Sequence, residues 1–306
     1  MTDPDYQTLI DAPTRAFIRE TAAHYPPDAA GLSIAEQRAV YDRMCRAFHR
    51  AAPPGVRVSD RPVAGVPTRA YAGSGPTVVW FHGGGFVVGG LESHDDVCAE
   101  ICAATGLPVV SVDYRLAPEH PHPAAYEDCL AVTRALAENG PLILAGDSAG
   151  GALAASVALA TRGLPILGQV LVYPGLGGNR ERGSYITHAH APILSRDDVL
   201  FYAAVRHAGP EPEGDPTCSP LQATDFSGLP PAAIFSAECD PLADDGRDYR
   251  DALLAAGVEA EWQLEPGLVH GYLRARASVP RAAAGFAAIT AAIARLAAPA
   301  RLAAPA

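Results

Sequence analysis

ILAGDSAGGALAAS, Ile143 to Ser156, is the stretch whose reading decides the fold. Pro141 and the apolar residues after it form a short hydrophobic run bounded by breakers, which predicts a buried strand over 141–146. GALAASVALATR is rich in Ala and Leu, strong helix formers, and predicts a helix over 149–162. Ser148 falls at the turn between them, flanked by Gly146, Gly150 and Gly151. Small neighbours let the chain pass close to itself and let the central residue take strained backbone angles. This is the Gly-x-Ser-x-Gly nucleophile elbow, whose confirming context is strand, turn, helix.

The same alternation extends outward from the elbow. Strands are predicted near 57–59 and 68–71, then at 76–82, 107–114, 168–174, 232–238 and 258–265. Helices fall near 94–104, 124–138, 244–256 and 280–296. Strands that are apolar throughout, alternating with helices, point to a mainly parallel sheet covered on both faces. Residues 1–50 read as amphipathic helix, with Ile34, Val40, Met44 and Phe48 near helical spacing and a capping box at Ser33 and Glu36. The alternation lapses again after Gly175, where a helix over 195–207 is capped by Ser195. The expected organisation is a core of residues 51–178 and 221–306, with residues 1–50 and 179–220 forming a helical cap. The C-terminal repeat, Arg295–Ala300 and Arg301–Ala306, carries Pro299 and Pro305 and is expected to fray.

Composition narrows the function. A formal net charge of −11 disfavours a phosphate-binding surface, which relies on cationic side chains. All 23 basic residues are arginine, a bias attributed to the source genome. The acidic start lacks an apolar leader, and no apolar run is expected to reach the 18 residues that span a bilayer, so a cytoplasmic protein is expected. Cysteines 45, 98, 102, 129, 218 and 239 lack paired metal-site spacing and read as buried, reduced thiols.

A serine hydroxyl needs a base, and the base needs an orienting group. Downstream of Ser148, Asp240 follows the strand 232–238 and His270 follows the strand 258–265, both on the sheet edge where the elbow lies. WFHGGGFVVGG, residues 80–90, follows another strand; its three consecutive glycines leave N–H groups free to face an oxyanion, and Ala149 adds one more. His82 is expected to hold that loop rather than to act as a base. Asp147 is read as bonding nearby backbone, and Glu238 as a satisfied strand-end carboxylate. His120 and His122 sit in a bracing loop, His188 and His190 in a solvated cap loop, and His207 on the cap helix.

Taken together, FHGGGF (81–86), VDYRLAPEHPHPAAYED (112–128), GDSAGG (146–151), DPL (240–242) and HGY (270–272) resemble the hormone-sensitive-lipase-like, or bacterial family IV, esterases, in the GDSAG branch. The resemblance spans roughly 75–275. It implies an α/β-hydrolase fold with a mainly parallel central sheet of about eight strands, helices on both faces and a helical cap. It makes Ser148 the nucleophile, His270 the general base and then acid, and Asp240 its orienter. Gly84, Gly85 and Ala149 become oxyanion donors, with Gly83 shaping the turn. It calls for neither metal nor organic cofactor and implies short-to-medium acyl esters as substrates. Phe17, Leu32, Phe86, Val87, Ile193, Leu194, Phe201 and Tyr202 are the expected pocket walls. A homodimer contact is expected at the edge 258–265 and the C-terminal helix. The same triad would serve amide hydrolysis or acyl transfer, and the fold also carries small-molecule receptors; the retained His270 argues against a receptor.

Overall fold

The computed structural model describes residues 4–26 and 31–303. The strands are β1 (Val58–Val63), β2 (Val66–Tyr71), β3 (Thr77–Phe81), β4 (Val109–Val112), β5 (Leu142–Asp147), β6 (Ile166–Val172), β7 (Ala232–Cys239) and β8 (Ala260–Val269). They form one eight-stranded sheet in the order β1-β2-β4-β3-β5-β6-β7-β8. The β1/β2 and β2/β4 pairs are antiparallel and every other pair is parallel. This is the α/β-hydrolase fold.

The helices are α1 (Tyr6–Leu9), α2 (Ala12–Ala22), α3 (Ile34–Phe48), α4 (Asp95–Thr105), α5 (Ala124–Ala137), α6 (Ala149–Ala160), α7 (Ser184–Thr187), α8 (Arg196–His207), α9 (Ala243–Ala255) and α10 (Pro280–Ala303). Side chains of a strand alternate between faces, and both faces are covered here. Val78 and Trp80 of β3 join the layer of α4 and α10, whereas Val79 and Phe81 join that of α5, α6 and α9. All four are fully buried, which is why β3 is apolar throughout Val78–Phe81. Helix α6 is buried along Ala149–Ala158; its small residues allow the close approach that the elbow needs.

Local capping works as the sequence implies. Ser33 and Glu36 form a reciprocal capping box on α3, and Ser195 and Asp198 form one on α8. All six cysteines are buried and unbridged.

Two ends differ from the sequence expectation. The last helix continues past Pro299 to Ala303 instead of fraying at the repeat, as its alanine-rich composition favours; Pro305 lies outside the described residues. Its Pro280–Ala298 part is, by length and composition, long and apolar enough to cross a bilayer. It lies against the sheet, with Ala282, Ile289, Ala292 and Ile293 buried in the core. At the other end, β8 does not stop at 265 but runs to Val269. Ala237 pairs with Glu265 and Cys239 with Val269, so β8 bulges at 266–268 opposite Glu238. Glu238 accepts the Gly267 N–H at 2.6 Å, so this strand-end carboxylate holds the bulge.

At the elbow, a Cβ on Gly150 would collide with the Phe81 carbonyl of β3, and one on Gly146 would meet the same carbonyl and the Gly150 backbone. Gly150→Ala is therefore expected to cost about 3 kcal/mol or more, through a backbone clash that no rotamer relieves. Urea denaturation of the purified variant measures this; a loss under about 1 kcal/mol would contradict it.

Candidate active site

Ser148 sits between β5 and α6 at φ +53°, ψ −117°, an unusual conformation for a residue with a side chain. Its N–H donates to the Val172 carbonyl at 2.8 Å, and its carbonyl accepts from Ala152 N–H at 3.1 Å. The backbone is thus held on both sides while the hydroxyl projects beyond the strand end. Two strands further on, the last register pair of β7 and β8, Cys239 and Val269, sets Asp240 and His270 side by side.

The three side chains meet in line. His270 Nδ1 lies 2.7 Å from Asp240 Oδ2, and His270 Nε2 lies 2.8 Å from Ser148 Oγ. A carboxylate only accepts, so Nδ1 carries the proton and Nε2 is left to accept from the serine hydroxyl. Asp240 Oδ1 accepts the Leu242 N–H at 2.9 Å, which fixes the carboxylate. Asp240 is fully buried and His270 is 8% exposed. Tyr173 packs against the imidazole at a centroid distance of 4.8 Å. The arrangement can activate a hydroxyl for attack on a carbonyl.

The glycine loop leaves β3 beside this line. Gly84 and Gly85 have φ of +130° and +59°, a region glycine enters without penalty. Among the described residues no hydrogen bond engages the N–H of Gly84, Gly85 or Ala149. Gly83 differs: its N–H donates to Asp147 Oδ1 at 2.9 Å, so it is a fastening point and not a free donor. Asp147 does more than bond backbone. It also faces His94 Nε2 at 3.2 Å and accepts from the Tyr173 hydroxyl at 3.3 Å. Burial alone would raise its carboxyl pKa, but His94, Arg274 and the Gly83 N–H together pull it down to about 2. His82 lies behind the loop, fully buried, with Nδ1 2.9 Å from the Gly83 carbonyl and Tyr114 stacked on its ring at 4.2 Å. Burial, reinforced by His94, pushes its pKa down to about 4.

A cavity of about 890 Å³ opens over Ser148 and His270. Phe17, Leu32, Phe86, Ile193, Leu194, Phe201 and Tyr202 all line it. Val87 does not. Both Val87 and Val88 N–H groups turn back to the Gly84 carbonyl, and this tight turn packs Val87 with Tyr41 and Met44 of α3. Val88 lines the cavity in its place. Tyr202 of α8 lies directly on Gly85, where a Cβ would strike its ring. Tyr41, Met44, Arg206 and Arg274 also line the cavity and were not anticipated. The helical stripe that places Val40 and Met44 inward could have pointed to Tyr41; the arginines carry no such local signal.

The other histidines fall away from the serine. His190 is exposed, but His188 is not a solvated residue: it is half-buried, with Nδ1 3.1 Å from the Tyr6 hydroxyl. His122 is held by Asp215 and Thr217 at 3.3 and 3.1 Å. Donor atoms of His207, Glu211 and Cys218, and of His122, Asp215 and Cys218, cluster within 4.8 Å. Positive charge is already present there. Arg180 pairs with Glu211 at 2.7 Å, and the buried Arg206 reaches the Cys218 carbonyl at 3.0 Å and His122 at 3.5 Å.

With this geometry in hand, comparison with known proteins places the chain. A family model described as the alpha/beta hydrolase fold matches residues 78–274. The chain is 40% identical over 254 residues to the carboxylesterase NlhH of Mycobacterium tuberculosis, covering 75% of this chain and 80% of that protein. It is 34% identical over 233 residues to an ethyl acetate hydrolase of Pseudomonas putida, covering 72% and 73%. Among solved structures, a hyperthermophilic esterase from the archaeon Pyrobaculum calidifontis superposes with a TM-score of 0.85 at 32% identity, over 94% of this chain and 99% of that one. The chain belongs to the α/β-hydrolase family, in its hormone-sensitive-lipase-like group. Within that class it is a serine carboxylesterase, a carboxylic ester hydrolase.

The Asp147 fastening yields a pH prediction. Its folded pKa, about 2, lies below the ordinary carboxylate value, so its contribution is full above about pH 4 and is lost as pH falls through about 2. Asp147→Asn is expected to cost about 2 kcal/mol or more at pH 7, with the gap to wild type closing between about pH 4 and 2. Urea midpoints across that range measure it; a gap that stays constant with pH would refute an ionic role.

Proposed function

We propose that Ser148, His270 and Asp240 hydrolyse short-to-medium acyl esters through an acyl-enzyme. The observation that carries this reading is the continuous line from Asp240 Oδ2 through the imidazole to Ser148 Oγ, with heavy-atom distances of 2.7 and 2.8 Å. Ser148 Oγ attacks the ester carbonyl while its proton passes to His270 Nε2. The oxyanion accepts from the N–H groups of Gly84, Gly85 and Ala149; Gly83 is omitted because its N–H is bound to Asp147. Collapse breaks the carbon–oxygen bond, and Nε2 returns the proton to the leaving alcohol. Water, deprotonated by the same nitrogen, then cleaves the acyl-enzyme. Asp240 keeps the imidazole in the required tautomer and stabilises its cation.

In this reading residues 1–50 and 179–220 act as a cap, which α2, α3 and α8 support by contributing Phe17, Tyr41 and Tyr202 to the cavity. The name of the ethyl acetate hydrolase relative favours short acyl groups for this chain too. The edge strand β8, with Leu264 exposed, and helix α10 suit a homodimer contact; a monomeric mass by light scattering would exclude it. Six unbridged thiols suit a cytoplasmic location, which cell fractionation checks.

Initial rates on p-nitrophenyl esters from acetate to palmitate test the main reading. Activity is expected to be highest between acetate and octanoate and abolished in Ser148→Ala. Asp240→Asn is expected to lower kcat by about four orders of magnitude while leaving the fold intact. A maximum at palmitate would overturn the chain-length assignment, and full activity in Ser148→Ala would overturn the nucleophile.

A further inference from the structure

Three arginines line the cavity beside Ser148, and they differ in what they already hold. Arg180 is ion-paired with Glu211 at 2.7 Å. Arg206 lies on the Phe86 ring, 3.6 Å from its centroid, and donates to the Cys218 carbonyl at 3.0 Å. Arg274 is less committed. Among the described residues its one hydrogen bond runs from Nη2 to the Tyr41 hydroxyl, with the guanidinium 4.9 Å from that ring's centroid. It enters no ion pair with any described residue, and its Nε is buried without a partner.

Its position is set by the turn after the general base. The short helical turn Tyr272–Ala275 folds the side chain back, so that Nη1 lies 3.3 Å from where a Cβ on Gly271 would sit. The guanidinium therefore stands one residue from His270, and it lines the same cavity as Ser148 and Gly84. Asp147 lies near enough for the two charges to stabilise each other, but its oxygens are engaged by the Gly83 N–H, His94 and the Tyr173 hydroxyl and make no ion pair with Arg274. Asp197 and Asp198 also line the cavity but are exposed, where solvent and salt screen them.

A guanidinium partly withdrawn from water without an ion-paired carboxylate is costly, and its planar fork fits a carboxylate bidentately. We propose that Arg274 is a specificity-determining residue that binds a carboxylate carried by the ester. The preferred substrates are then acid esters: half-esters of short dicarboxylic acids, or acyl esters of short hydroxy acids. The assignment rests on the ester-hydrolase reading of the same site and names its substrate class.

Two matched pairs of esters test it, followed by pH-stat titration. Monoethyl succinate carries its carboxylate on the acyl side and is compared with uncharged ethyl succinamate. The 3-acetoxypropanoate anion carries it on the alcohol side and is compared with 3-acetoxypropanamide. One acid ester is expected to exceed its amide counterpart about tenfold or more in kcat/KM, chiefly through KM. The pair that shows the preference identifies the half of the ester that Arg274 reads. Arg274→Gln is expected to erase the ratio, and Arg274→Lys to keep part of it. Equal rates within both pairs, or a ratio that survives Arg274→Gln in a folded variant, overturn the proposal. Should Arg274→Gln not fold, inhibition of wild type decides: competitive inhibition by succinate but not succinamide supports the subsite, and any other pattern overturns it. p-Nitrophenyl acetate accompanies every run. Its hydrolysis without any acid preference overturns the carboxylate subsite alone, whereas no hydrolysis of any ester by folded protein overturns the ester-hydrolase reading as well.

Discussion

The close approach of the serine elbow to strand β3 is the constraint on which the rest of the site depends. Ser148 can hold φ +53° only because the chain on either side is locked, by the Val172 carbonyl before it and by α6 after it. That locking requires α6 to press against the Phe81 carbonyl, and there is no room for a side chain at Gly146 or Gly150. Strain of this kind costs on the order of 1–3 kcal/mol and persists where surrounding structure over-determines it. Here the surrounding structure is a helix buried over Ala149–Ala158.

The same proximity places the glycine loop. Because the elbow touches the end of β3, the glycines that follow Phe81 emerge next to the serine. Asp147 then fastens one to the other by accepting the Gly83 N–H across 64 positions of sequence. A buried carboxylate is expensive unless its lone pairs are used, and this one is shared among a backbone N–H, a histidine and a tyrosine hydroxyl. On the far side, the bulge in β8 performs a similar task. It lengthens the strand beyond 265, brings Val269 level with Cys239 and so delivers His270 beside Asp240. Glu238 steadies that bulge through Gly267.

The covering helices impose a different chemistry. They bring apolar walls, Phe17 and Tyr202, together with the buried Arg206, while Arg274 enters from the turn after His270; local pattern announces neither arginine. Arg206 is accommodated by Phe86 and a carbonyl, and Arg274 by Tyr41. Charge is thus placed inside a mainly apolar cavity, where it acts with little screening. The molecule thus sets a Ser148–His270–Asp240 line beside a cavity whose polarity comes from distant segments.

Sequence alone determined the alternation of strands and helices, the elbow, the glycine loop and the order of Ser148, Asp240 and His270. Each of these is a local pattern: an apolar run, a glycine where the backbone must bend or be approached, or a polar residue directly after a strand. Helix caps at Ser33 and Ser195 were legible for the same reason, since a cap acts within one turn. Tertiary structure alone decided that Val88 and not Val87 faces the cavity, that Gly83 spends its N–H on Asp147, that β8 bulges before His270, and that His188 is half-buried against Tyr6. It also decided that Arg274 stands near His270 without an ion-paired carboxylate among the described residues. These outcomes join segments far apart in the chain. They depend on packing distances and competition for hydrogen-bond partners, which spacing along one strand or helix does not encode.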